Sequence, residues 1–446
     1  MSKTFDLVVH GGTVVNHDGE GPADVGIVDG RIAEVGDLSQ ADAGERIDAT
    51  GLHVLPGVID SQVHFREPGL EHKEDLQAGM DGAALGGVTT IFEMPNTSPS
   101  TTTVEAMADK LRRASGRAAV DHAFYAGAAA ENITDLPVLE REPGVCGVKI
   151  FMGASTGNLL VADDDTVLRV LQSGVRRVAV HSEDEERMNA RKGLREKGDP
   201  STHPVWRDDE SAIKCTRRLL RLARVAGRRI HVLHVTTADE MDILAEHKDI
   251  ATVEVTPQHL TLAAEWAYRD LGTRAQMNPP IRAEAHRQGL WRGLRQGVVD
   301  VIGSDHAPHT LEEKARVYPD SPSGMPGVQT LVPIMLNHVN EGMLSLRRFV
   351  DLTSAGPQRV FGIAGKGRMA RGYDADLTLV DMKRRETITD AQMANKSRWT
   401  PFDGKQVTGW PVMTIVRGHL AMRDGQVLGR DHGRPVRFQE TLPAQG

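Results

Sequence analysis

Five apolar runs in the middle of this 446-residue chain end on a side chain that can bind a metal ion or move a proton. In VLPGVIDSQVHFREPG, Asp60, Gln62 and His64 recur at period two, so a strand there presents all three on one face. Lys149 lies in GVKIFMG, His181 ends RRVAVH, His234 ends RIHVLH and Asp305 ends VVDVIGSD. Imidazole and carboxylate donors together suit a borderline cation such as zinc. Water on such an ion ionises at about pH 7, and Asp305 beside it is placed to take the proton and later pass it to a leaving nitrogen. Lys149, flanked by Val148, Ile150 and Phe151, carries its amine into apolar surroundings that disfavour the charge. Carbamylation would turn it into an anionic oxygen ligand able to bridge two cations. His231, three residues before His234, is expected to face away from it and to be structural. The constellation is that of a metal-assisted hydrolase.

Side chains this far apart meet only if the fold gathers strand ends. From about residue 56 to 364, strand-like runs (VTTIFEMP, GVKIFMG, RRVAVHS, RIHVLHVT, ATVEVTP, VVDVIGSD) alternate with helical patterns. One such pattern is DESAIKCTRRLLRLARVAG, whose Ile213, Leu219, Leu220, Ala223 and Val225 predict an apolar face. About eight βα units predict an α/β fold, a (β/α)8 barrel with its chemistry at the C-terminal strand ends. Residues 1–55 and 365–446 read as short Val- and Ile-rich strands with tight turns, among them RDGQ, and predict a small composite β-domain built from both termini.

Composition narrows the classes. With 53 Lys and Arg against 61 Asp and Glu, a net charge of -8, no basic surface suits nucleic acid. Cys146 and Cys215 are too few for a disulfide framework. No run approaches the ~20 apolar residues of a membrane span, so the expectation is a cytoplasmic protein acting on a small molecule. GASTGN and GIAGKG lack the phosphate-loop pattern and read as turns. Arg217, Arg218, Arg221, Arg224, Arg228 and Arg229 read as a solvated helix surface. The stretch HTLEEKARVYPDSPSGMPG reads as a mobile loop over the site.

Across nearly the whole chain, VVHGGTVV, PGVID, VHFREPG, GGVTTIFEMPNT, VKIF, NPPIR, SDHAPH, GYDADLTLVD and TIVRGHLAMRDGQV resemble the amidohydrolase superfamily and, within it, the class I dihydroorotases. VHFREPG with MPNT and NPPIR is closer to dihydroorotases than to hydantoinases or allantoinases. The resemblance implies zinc-dependent, reversible hydrolysis of L-dihydroorotate to N-carbamoyl-L-aspartate in pyrimidine biosynthesis. It implies that His181 and His234 ligate the more exposed of two ions, that Lys149 is the carboxylated bridging lysine, and that Asp305 is both ligand and general acid/base. It implies that Arg66 and Asn96 bind the substrate carboxylate, that Asn278 and His309 make further contacts, and that the backbone at Ser323 and Gly324 bonds the ring amide. Where the family has His-x-His, this chain has Gln62-Val63-His64. An amide oxygen is a weaker donor than imidazole, so the expectation is one firmly held zinc, with a second, labile ion at His64 and Asp305. Such barrels are commonly homo-oligomers. Other readings are a hydantoinase or allantoinase, or a non-catalytic scaffold for aspartate transcarbamoylase.

Overall fold

The computed structural model describes residues 4–155 and 159–442. Its centre is a parallel sheet of eight strands in sequential order. They are β1 (Val58–Val63), β2 (Val88–Glu93), β3 (Asp121–Gly127), β4 (Val145–Phe151), β5 (Val178–His181), β6 (Ile230–Val232), β7 (Ala251–Val255) and β8 (Val301–Ile302). The sheet curls until its ends meet, where the His64 N–H donates to the His306 carbonyl at 2.7 Å. Strand order and helical crossovers make the expected (β/α)8 barrel.

Two apolar layers hold it. Ile59, Phe92, Tyr125, Leu233 and Val301 pack together with Phe361 and Phe438 inside the barrel. Alternate residues of the same strands, such as Val148, Val178, Val180, Ile230 and Val232, pack outward with the helices. Helix Asp209–Ala226 shows how the sequence sets a crossover. Asp208 caps its first turn by accepting from the Ser211 N–H at 3.1 Å, and Gly227, at φ 65°, ends it. Ile213, Leu219, Leu220 and Ala223 are buried as expected, but Val225 is 65% exposed. It lies six residues, about 240°, round from Leu219, and Leu222 takes the buried place. The basic face of this helix is matched by carboxylates: Arg218 and Arg221 meet Asp164, and Arg224 meets Asp249. Arg228 corrects the surface reading, because it is buried against Glu140 at 3.0 Å.

The terminal segments form two sheets with a shared core. One holds four N-terminal strands; the other interleaves both ends of the chain. Leu7, Val9, Val25 and Ile47 pack there with Leu377, Leu379 and Ile415. His53–Pro56 pairs with Leu377–Thr387, which leads the chain straight from this sandwich into β1. RDGQ is the expected hairpin turn, with Asp424 and Gly425 at φ 47° and 76°. GIAGKG is a turn whose Lys366 is buried. Of GASTGN, the last three residues lie outside the described ones. Among the described residues no helix is long and apolar enough to cross a membrane.

Candidate active site

At the C-terminal mouth of the barrel, Gln62, His64, Arg66, Asn96, Lys149, His181, His234, Asn278, Asp305, Ser323 and Gly324 line one cavity. Of the residues singled out in the sequence for a site role, His309 does not line it, nor does Asp60, which the sequence placed on one face with Gln62 and His64. Phe151, Ser155 and Ala307 also line it; they carry no charge or metal-ligand chemistry that would have marked them.

The strands do not deliver these side chains by simple alternation. Arg66, His234 and Asp305 all have left-handed backbones, at φ 64°, 37° and 46°. For side chains other than glycine each such residue costs on the order of 1 kcal/mol or more. At His234 this twist undoes the period-two reading. His231 is also inside the barrel, 3.5 Å from Glu254 and 5.3 Å from the Phe361 ring, while His234 turns into the cavity above it. His231 does not face away; it fills the floor. At β1 the pairing with β2 shifts between Asp60 and Val63, so Asp60 leaves the face of Gln62 and His64. Its carboxylate instead accepts the Ser304 N–H at 2.9 Å and braces the turn before Asp305.

Two imidazoles converge on one point. His181 Nδ1 and His234 Nε2 are 3.1 Å apart. On the other side of its ring, His181 Nε2 stands 2.9 Å from Glu183 Oε2, itself held by Arg207. A carboxylate there keeps the proton on Nε2 and leaves the Nδ1 lone pair facing His234. Burial pushes the pKa of both histidines down, His234 the further because the charge of His181 adds to the effect there, whereas the Glu183 carboxylate opposes it at His181. Two nitrogens sharing a tetrahedral zinc would sit about 3.3 Å apart, from Zn–N distances of ~2.05 Å. The pair therefore fits one metal ion. Glu183, two residues past His181, is the positioning group that sequence reasoning passed over.

Lys149 is buried, with Nζ 4.5 Å from the Phe151 ring centre. Burial pulls its pKa down to about 7 against the fields of Asp305 and Glu254. His64 lies between Asn96 and Asp305: Nδ1 is 2.8 Å from Asn96 Oδ1 and Nε2 is 3.3 Å from Asp305 Oδ1. Gln62 Nε2 donates to the same Asp305 oxygen at 2.9 Å, and Gln62 Oε1 is buried without a hydrogen-bond partner among the described residues.

Opposite this cluster, the Arg66 guanidinium is buried, and no carboxylate among the described residues lies within ion-pair distance. Its Nε donates to the Pro308 carbonyl at 3.2 Å, and Nη2 is 3.3 Å from His309 Nε2. That second contact joins two donors. Lys73 Nζ, 3.2 Å away, occupies His309 Nδ1, so Nε2 carries the proton and gives it to the Ser323 carbonyl at 3.0 Å. Gly324 completes this wall at φ 139°; a Cβ would stand 2.4 Å from the Ala307 carbonyl. A second acidic group, Asp121, Asp374 and Asp376, has the spacing of a cation site, but the Lys366 ammonium and Arg417 already sit among its oxygens.

The amidohydrolase family profile matches residues 53–421. The chain belongs to the amidohydrolase family. Among curated relatives of this amidohydrolase, the dihydroorotase of Halobacterium salinarum is 37% identical, covering 93% of this chain and 99% of its own. The L-hydantoinase of Paenarthrobacter aurescens is 34% identical, covering 95% and 96%. Among solved structures, L-hydantoinase (dihydropyrimidinase) from Arthrobacter aurescens superposes with a TM-score of 0.92 at 32% identity, over 97% of this chain and 99% of that one. This amidohydrolase is thus similar over its full barrel and sandwich to enzymes of both names.

Proposed function

We propose that this amidohydrolase interconverts L-dihydroorotate and N-carbamoyl-L-aspartate, a step of pyrimidine biosynthesis. Relatives named for dihydroorotate and hydantoin support a hydrolase of cyclic amides. The observation that carries the narrower reading is Arg66. Burial pulls its pKa down to about 10, so it remains charged at neutral pH. A buried cation with no carboxylate within ion-pair distance among the described residues, in the wall of a substrate cavity, calls for an anion on the substrate. Its planar fork takes a carboxylate through two parallel bonds. Dihydroorotate carries that carboxylate and unsubstituted hydantoin does not.

Lys149, His181 and His234 would hold one zinc ion, and His64 with Asp305 a second, more loosely because Gln62 brings only an amide. A neutral Lys149 amine adds carbon dioxide and releases one proton to become the carbamate ligand. When bound, zinc polarises the scissile carbonyl and acidifies water. Arg66 and Asn96 hold the carboxylate, and Asn278 with the backbone at Ser323 and Gly324 holds the ring amide. His309 takes part by fixing the Ser323 carbonyl next to Arg66. Asp305 accepts the proton of the attacking water and returns it to the ring nitrogen as the C–N bond breaks.

The test is ring opening by the zinc-supplemented protein, with Asp305→Ala as blank. Arg66→Gln should raise KM for L-dihydroorotate roughly 100-fold, the loss of a charged hydrogen-bonded pair of about 2.7 kcal/mol, and leave turnover of any carboxylate-free ring unchanged. A wild-type enzyme that prefers hydantoin over dihydroorotate would instead favour the second reading, which the TM-score of 0.92 to an L-hydantoinase supports. No turnover of either ring, with zinc bound, would point to the aspartate transcarbamoylase scaffold.

A further inference from the structure

At the opposite mouth of the barrel, four arginines converge. Arg176 and Arg177 precede β5, Arg229 precedes β6 and Arg359 comes from the helix Gly356–Phe361; they line a cavity of about 140 Å³ whose one carboxylate among the described residues is Glu440. The guanidiniums come from three separate segments, and their existing partners do not balance them. Arg176, 1% exposed, lies 4.4 Å from the Phe438 ring centre and donates through Nη1 to the Glu140 carbonyl at 3.1 Å and to the Val145 carbonyl. Its Nε stands 3.5 Å from Glu440, and its Nη2 is buried with no hydrogen-bond partner among the described residues. Arg177 donates Nε to the Val360 carbonyl and Nη1 to the Ile230 carbonyl, both at 2.9 Å. Arg229 stands 3.3 Å from Glu440, and Arg359 stands 2.6 Å from Asp351.

Carbonyl partners satisfy N–H groups but leave the positive charge in place. The remaining carboxylates around the cavity are already engaged: Asp351 also meets Arg348, Glu140 meets Arg228, and Asp300 meets Lys248. Burial and the charge of Arg229 pull Arg177 down to about 10, the sign of a guanidinium short of counter-charge. Glu440 therefore serves both Arg176 and Arg229.

We propose that this cavity binds a small tetrahedral oxyanion of the phosphate class, with Arg176 Nη2 at its base and Arg177, Arg229 and Arg359 around it. Several forks arriving from different directions match the oxygens of a tetrahedral anion better than the two of a planar carboxylate. Glu440 is the internal competitor that such an anion displaces. The site is separate from the catalytic mouth: Arg177 immediately precedes the strand that His181 ends, four residues or about 13 Å away. The proposal does not depend on which cyclic amide is the substrate.

Calorimetric titration of inorganic phosphate into the full-length protein, at ionic strength held constant with chloride, tests it. One saturable site is expected, weakened at least tenfold by Arg229→Gln and by Arg359→Gln, tightened by Glu440→Gln and unchanged by Arg66→Gln. Arg229 and Arg359 have half-exposed side chains, 56% and 52%, so these variants keep the fold. Absence of saturable binding overturns the proposal, as does binding that Arg66→Gln abolishes and Arg229→Gln leaves intact. Acetate binding as tightly as phosphate overturns the tetrahedral assignment.

Discussion

Gln62 holds Asp305 by an N–H where a second imidazole would offer a lone pair. Gln62→His should therefore raise bound zinc from about one to about two ions per chain, read by elemental analysis after dialysis; an unchanged ratio would end the account of a weakened second position. The side chains of the site were legible because strand ends of a barrel face one mouth, so His181, His234, Lys149 and Asp305 could be placed together from spacing alone. What spacing could not show was the backbone turning left-handed at Arg66, His234 and Asp305. At Asp305 the turn is braced by a neighbour hundreds of residues away, the Asp60 carboxylate on the Ser304 N–H. Hence His231 was assigned the wrong face although its structural role was read.

Among the elements, the stretch after Asp305 departs most from its reading as a mobile loop. It contains the helix Leu311–Lys314, capped by Thr310 and Glu313, and Lys314 reaches back from it. Lys314 Nζ donates to the carbonyls of Gln276, Pro322 and Gly324 at 3.1, 2.9 and 3.1 Å, which ties the segment beside the cavity at three points. Composition rich in proline, glycine and charge suggests mobility; one buried ammonium with three acceptors opposes it, and nothing local to the sequence marks that lysine. Lys314→Gln should raise KM about tenfold, the equivalent of ~1.4 kcal/mol of lost hydrogen bonding, with kcat less affected. Burial pulls Lys314 down to about 7. Above that pH the amine keeps two N–H groups for three carbonyls, so wild-type KM should climb between pH 7 and 8.5. The same steady-state measurement on Lys314→Gln should lack that added climb; a parallel climb in both would remove Lys314 as its source.

For the whole molecule, the join between barrel and sandwich rests on Lys366. Its ammonium meets Asp121 at the start of β3 and Asp374 and Asp376 before the strand Leu377–Thr387, and these carboxylates raise its pKa despite burial. Lys366→Met leaves three buried acids to Arg417 and should cost roughly 3–5 kcal/mol, seen in a chain of 446 residues as a melting temperature lower by about 3–5 °C. A smaller loss than 1 kcal/mol would mean the acids are stabilised otherwise. The repeating βα texture made the barrel readable, since each unit pairs with the next in sequence. The sandwich was readable as one composite domain of both termini, but not its pairings, because strands such as His53–Pro56 and Leu377–Thr387 that pair across it lie more than 300 residues apart.

That separation also orders events during synthesis. Val54 lies beside Leu379 in the finished sheet, so on a ribosome adding 5–20 residues per second the early strand waits roughly 15–65 s for its neighbour. Throughout that interval the nascent chain carries an unpaired, apolar strand edge at its leading end, and the eight-stranded sheet can close before the edge is covered. The period of greatest vulnerability to aggregation thus falls late in translation, and a chain released early would expose that edge permanently.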